Sequence, residues 1–154
     1  LTGLANRNHL VDFLENSLAR AHRHRQKFAL LFIDLDGFKA VNDAHGHATG
    51  DLLLIEVAQR LTRHLRGDDL MARYGGDEFV WVTGTSDTAP DLDEIMSRLK
   101  GEFEAPFVVR QFQLQLGVSV GYAVFPEDGR NIAALFDAAD EGMYRDKARQ
   151  AAAG

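Results

Sequence analysis

Cysteine is absent from the 154 residues. That excludes disulfides, thiolate nucleophiles and zinc–thiolate centres, and it accords with a reducing cytoplasm. Long hydrophobic runs are also lacking. The longest, Phe28 to Ile33, has six residues, where a membrane-crossing helix needs about 20. Positive charge is scarce: Lys plus Arg total 17 against 23 for Asp plus Glu, a formal net charge of −6. General binding to DNA or RNA needs a basic surface to replace counterions, so this balance argues against it. A single nucleotide is not excluded, because it needs only local positive charge or a metal. The first residues lack the basic start and apolar core of a secretory signal. What is present is ordinary for a globular chain, 45% hydrophobic and 26% charged, at a length that suits one domain. The expectation is one soluble, cytoplasmic domain over residues 1–154.

Periodicity outlines the elements. Residues 6–25 carry Leu10, Val11, Phe13, Leu14 and Leu18 at helical spacing, and the basic run from His22 to Lys27 suits a helix C-terminus. Residues 28–35 read as a strand buried on both faces. Residues 49–66 predict a helix capped by Thr49 and stopped by Gly67. Gly75 and Gly76 lie between two β-prone runs, 70–74 and 78–82, which predicts a hairpin whose primed turn has positive φ at both glycines. Residues after Pro90 resume helical spacing at Leu92, Ile95, Met96 and Leu99. Phe112, Leu114, Leu116, Val118 and Val120 alternate with polar or small residues as one half-buried strand, continued by 121–125. Residues 131–150 close as a helix with Ile132, Leu135, Phe136 and Met143 inward. This mixed order predicts an α+β sandwich, a mostly antiparallel sheet flanked by helices. Other open α/β sheets share that order.

The acidic residues point to chemistry. Asp34 and Asp36 end an otherwise apolar strand, and Asp77 and Glu78 follow the Gly-Gly turn. If the strand runs beside the hairpin, the carboxylates converge at one sheet edge, repel one another and raise their own pKa values. A divalent cation removes that conflict, and oxygen donors without Cys or His suit Mg²⁺ or Mn²⁺. The competing reading is turn chemistry at Asp36-Gly37 and exposed hairpin residues at 77 and 78. Residues 38–51 read as a turn-rich loop carrying Lys39, Asn42, His47 and Asp51, which either cradles a nucleotide or merely starts a helix. The six histidines have no zinc spacing, and no P-loop or nucleophile elbow is present.

Arg73-Tyr74-Gly75-Gly76-Asp77-Glu78-Phe79 resembles the signature of GGDEF domains. Four further segments resemble the family in order and spacing: residues 1–7; Phe32 to Lys39 with Val41-Asn42-Asp43; Gly46-His47 with Gly50-Asp51; and Ala139 to Tyr144 with Lys147. The resemblance implies a cyclase/palm-like fold and condensation of two GTP into cyclic di-GMP, with release of two pyrophosphates, where two domains face each other as a homodimer. It implies metal ligation by Asp34, the Leu35 carbonyl, Asp77 and Glu78, with two Mg²⁺ or Mn²⁺ ions per GTP. The catalytic candidates are Asp77 as general base, Glu78 and Lys39. Substrate contacts are implied for Asn42, His47, Asp51 and Lys147. Arg66 and Asp69 match the family's Arg-x-x-Asp site for inhibition by cyclic di-GMP. Ala151 stands where the family usually has a second basic residue four positions after Lys147. Leu1 opens within the first motif, so the expectation is a piece of a longer multidomain protein with an attached sensor, tethered or free.

Overall fold

Alternation decides which side of the central strand each residue meets. Phe28, Leu30 and Phe32 enter one hydrophobic core, and Ala29, Leu31, Ile33 and Leu35 enter another, as the two-residue period of an extended chain requires. In this computed structural model, which describes residues 1–153, the elements follow as α1 (Arg7–His24), β1 (Phe28–Asp36), α2 (Phe38–His45), α3 (His47–Thr62), β2 (Leu70–Arg73), β3 (Glu78–Val82), α4 (Leu92–Gly101), β4 (Phe107–Val109), β5 (Phe112–Leu114), β6 (Gly117–Phe125) and α5 (Ile132–Ala153). The main sheet has the order β2-β3-β1-β6, and all its pairings are antiparallel. This is the α+β class that the chain order predicts.

Helices cover both faces of the sheet. Leu10 and Leu14 of α1 and Leu135 and Met143 of α5 pack on Phe28, Leu30 and Phe32. Phe38 of α2, Leu53 and Val57 of α3, and Leu99 of α4 pack on the opposite face. Phe28, Leu30, Leu31 and Ile33 are fully buried, each worth about 1.5–3 kcal/mol before the entropy of ordering. The centre of the sheet is therefore a rigid base for whatever stands at its end. The first helix occupies the stretch that its spacing predicts. Asn6 caps it by accepting the His9 amide at 2.9 Å, and Arg25 closes it in the left-handed conformation.

Several expectations need correction. The stretch 38–51 is helical, not a loop: α2 fills 38–45, and α3 begins at His47. Gly37 and Gly46, both at φ 89°, turn the chain into and between these helices, a conformation that a β-carbon disfavours. Thr49 is consequently buried inside α3 and caps nothing, and α3 ends at Thr62 before Gly67. The hairpin is present, but neither Gly75 nor Gly76 has positive φ. Four residues bridge its strands, so no primed two-residue turn is needed. The alternating run 112–120 divides into two strands. β5 pairs with β4 in a separate ribbon, and β6 joins the main sheet. Its apolar side still serves one core throughout, which explains why the pattern hides the break. Val11 faces outward, 39% exposed, while Leu10 and Leu14 carry the packing of α1. Among the described residues no helix is long and apolar enough to cross a membrane.

Candidate active site at the sheet edge

β1 and β3 bring the acidic pairs together. Asp34 lies directly across from Glu78 in the antiparallel register. One step further, the Leu35 amide donates to the Asp77 carbonyl at 3.1 Å. A strand residue sends its N–H and C=O to the same side, so the Leu35 carbonyl also faces the hairpin, just past the last cross-strand pair. Asp34, Leu35, Asp77 and Glu78 thus share one edge of the sheet.

Arginines hold the hairpin from both ends. Arg73 donates to the carbonyls of Gly75 at 3.2 Å and Gly76 at 2.9 Å. Arg7, at the start of α1, donates to the Tyr74 carbonyl at 2.7 Å and lies over the Tyr74 ring. Gly75 has a steric role, since a β-carbon there would fall 2.2 Å from Oε1 of Glu78. The missing side chain is the space into which Glu78 folds.

The electrostatics follow from crowding. Burial, and then the charge of Asp34, hold the Asp77 carboxyl above the ordinary carboxylate range. Burial also raises Glu78, with Asp34 and Asp77 adding to the effect and Arg7 opposing it. From α5, Lys147 sends its ammonium into this edge, 2.5 Å from Asp34 and 3.7 Å from Asp36. The hydrogen bond to Asp34 raises the Lys147 pKa above that of an ordinary lysine. Ser119 of β6 donates to Asp36 at 2.7 Å, yet Oδ1 of Asp36 is buried without a hydrogen-bond partner among the described residues. No three His, Cys, Asp or Glu side chains among the described residues form a ready metal nest. The groups here that could offer oxygen donors are the carboxylates of Asp34, Asp77 and Glu78, which repel one another, and the Leu35 carbonyl. Such a set fits a hard divalent cation.

The other candidates divide into two groups. Asn42 sits on α2 against Gly50 of α3, where a β-carbon would come within 1.7 Å of Oδ1 of Asn42. That Oδ1 is buried without a donor. Asp51 and His47 are exposed on the first turns of α3, and Lys39 is exposed on α2 with no ion pair among the described residues. Arg66 and Asp69 lie elsewhere, beside a cavity of about 460 Å³ also lined by Trp81 and Arg98. Asp69 is committed within the fold. It accepts from the Arg66 amide at 3.1 Å, the Trp81 indole at 3.1 Å and the Gly84 amide at 2.8 Å. The Arg66 guanidinium is exposed. Sequence reasoning gave no role to Arg7, Arg73, Ser119 or Arg98. The first two flank motif residues, but Ser119 and Arg98 have no local signal, because only tertiary packing brings them to their partners.

A main sheet ending in carboxylates beside a short hairpin, with a helix-borne lysine, sits within an α+β domain. The family described as Diguanylate cyclase, GGDEF domain, matches residues 1–152, and the chain belongs to the GGDEF family. It is 44% identical over 147 residues to the bifunctional diguanylate cyclase/cyclic di-GMP phosphodiesterase MucR of Pseudomonas aeruginosa, a match covering 96% of this chain and 21% of MucR. The solved GGDEF domain of TpbB from the same species superimposes with a TM-score of 0.91 at 36% identity, covering 97% of this chain and 93% of that one. The GGDEF domain of DgcB from Caulobacter crescentus, solved in complex with cyclic di-GMP, gives 0.86 at 28% identity, covering 97% and 86%. The chain spans 21%, 18% and 33% of the length of three curated relatives that it matches.

Proposed function

We propose that this domain is a diguanylate cyclase that condenses two GTP into cyclic di-GMP. The observation that carries the proposal is the cross-strand register placing Asp34 opposite Glu78 and Leu35 against Asp77. Asp34, Asp77, Glu78 and the Leu35 carbonyl would hold Mg²⁺ or Mn²⁺, two ions per GTP. When bound, the metal supplies Lewis acidity that makes a ribose 3′-hydroxyl a competent nucleophile.

The chain's own residues do the rest. Asp77 takes the proton of the 3′-hydroxyl as general base. The freed oxygen attacks the α-phosphorus of the GTP held by a facing domain, and pyrophosphate leaves with the bonding pair. Glu78 completes the acidic edge. Lys39 and Lys147 offset the growing phosphate charge, the main demand of phosphoryl transfer. On the base side, the unpartnered Oδ1 of Asn42 and the exposed carboxylate of Asp51 are acceptors, the polarity that the donor edge of guanine requires. His47 borders them. Each domain holds one GTP, so turnover needs two copies face to face.

Product inhibition is proposed at the Arg66 cavity. A free guanidinium can bind the O6 and N7 edge of guanine in two-pronged fashion, and Arg98 adds a second cation to the same cavity. In this protein Asp69 acts there mainly by holding the loop and Trp81 in place.

Incubation with GTP and Mg²⁺ followed by nucleotide separation tests the reading. Cyclic di-GMP and pyrophosphate are expected, Asp77→Ala abolishes both, and Arg66→Ala removes the slowing as product accumulates. Tight GTP or cyclic di-GMP binding without any product, at high protein concentration, would make the domain a silent binding module instead.

A further inference from the structure

Lys147 does more than wait beside a phosphate. Its ammonium lies 2.5 Å from Asp34 and 3.7 Å from Asp36, on the carboxylate that the proposed function assigns to a metal. Asp34 is only 8% exposed, so its charge has little water around it and takes the nearest cation. The side chain of Lys147 is 46% exposed and comes from the last third of α5. A long, half-exposed arm of this kind can withdraw at small cost, whereas Asp34, at the end of a buried strand, is held by its packing. Asp146, its neighbour, anchors that part of the helix by accepting the Val120 amide at 2.8 Å and pairing with Lys100 of α4. The anchor fixes where the arm starts without restraining its tip.

We propose that Lys147 is a resident counter-cation, which neutralises the acidic edge until a nucleotide's triphosphate draws it off, so that the divalent metal enters with the nucleotide and not before it. An ammonium bonded to Oδ2 of Asp34 repels a second cation seeking the same carboxylate and so weakens its binding there. The triphosphate resolves the competition by offering the ammonium a stronger anion while bringing its own oxygens to the metal. This inference rests on the reading of Asp34 and Asp77 as metal ligands, and it adds an order of binding to that reading.

Mn²⁺ binding to the nucleotide-free protein, followed by electron paramagnetic resonance of the free ion, tests it. Lys147→Met is expected to bind Mn²⁺ about tenfold more tightly than the parent, the scale on which one neighbouring charge acts at a half-exposed site. Lys147→Arg keeps the charge and behaves like the parent. With a non-hydrolysable GTP analogue bound to the protein, and the Mn²⁺ held by free analogue subtracted in a protein-free control, the gap between parent and Lys147→Met closes. Equal affinity of parent and Lys147→Met without nucleotide overturns the counter-cation, and a gap that persists with the analogue overturns its withdrawal. If none of the proteins binds Mn²⁺ even with the analogue, the metal reading itself has failed, which is a different outcome. The circular dichroism of each variant, expected to match the parent because the side chain is half exposed, guards against misfolding.

Discussion

Asp69→Ala is the substitution most easily misread. Its carboxylate accepts three hydrogen bonds, from the amides of Arg66 and Gly84 and from the indole of Trp81. Trp81 is 2% exposed, so its N–H has little access to water when the acceptor goes. A donor left unsatisfied in that setting costs about 1–3 kcal/mol. Losing the Trp81 and Gly84 bonds together then destabilises the domain by about 2–6 kcal/mol. For a chain of this length each kcal/mol lowers the melting temperature by about 2–4 °C, so a fall of about 4–24 °C is expected. Asp69→Asn retains one acceptor oxygen and falls about half as far. Arg66→Ala removes an exposed side chain and shifts stability by no more than about 0.5 kcal/mol. Differential scanning calorimetry of the three variants, metal-free, makes the comparison. If Asp69→Ala melts within about 2 °C of the parent, the hydrogen-bond reasoning is wrong. If it behaves as expected, relief of product inhibition in that variant reflects a loosened loop as much as a lost contact, and Arg66→Ala becomes the informative variant.

Further expectations concern α5, the pH dependence and the hairpin. A β-carbon at Gly121 would lie 2.0 Å from the Ala139 carbonyl oxygen and 2.1 Å from the Met143 amide nitrogen, both backbone. Gly121→Ala therefore forces α5 off β6, costs about 1–3 kcal/mol or more, and displaces Lys147 by about 1 Å, enough to lower turnover about 100-fold. Unchanged melting and turnover would show that the two backbones are not so close. Asp77 has a raised pKa in the folded state, so its contribution is present at low pH and is lost as pH rises through the folded value. Melting curves in chelator should show Asp77→Asn gaining on the parent as pH rises above the ordinary carboxylate range, and a pH-independent difference would contradict the assigned burial and repulsion. Arg73→Ala frees the Gly75 and Gly76 carbonyls. Turnover should fall about tenfold or more, on the scale of a slightly misplaced catalytic group, while GTP affinity holds. A fall in affinity alone would count against positioning.

Much of this molecule was legible locally. The six-residue apolar run, the Gly-Gly hairpin and the closing amphipathic helix are written in nearest-neighbour patterns, and so is the oddity of aspartates ending a buried strand. Spacing fails where helices are short and capped by glycine alone. The 38–51 stretch is dense in small and polar residues, yet Phe38 and Val41 find a core that makes it helical. It fails again at 115–116, where the alternation continues while the hydrogen-bond partner changes from β4 to β1.

The sequence alone determined which residue types carry charge, which segments are apolar enough to be buried, and that two acidic pairs stand at element ends, because these follow from composition and a period of two or 3.6 along one chain. Tertiary structure decided that Asp34 faces Glu78, that Lys147 crosses 113 positions of sequence to meet Asp34, and that the carboxylate of Asp69 is turned inward to Trp81 and Gly84. Those are relations between distant segments. Their geometry is set by strand register and by the closeness of α5 to Gly121, quantities that no local pattern encodes.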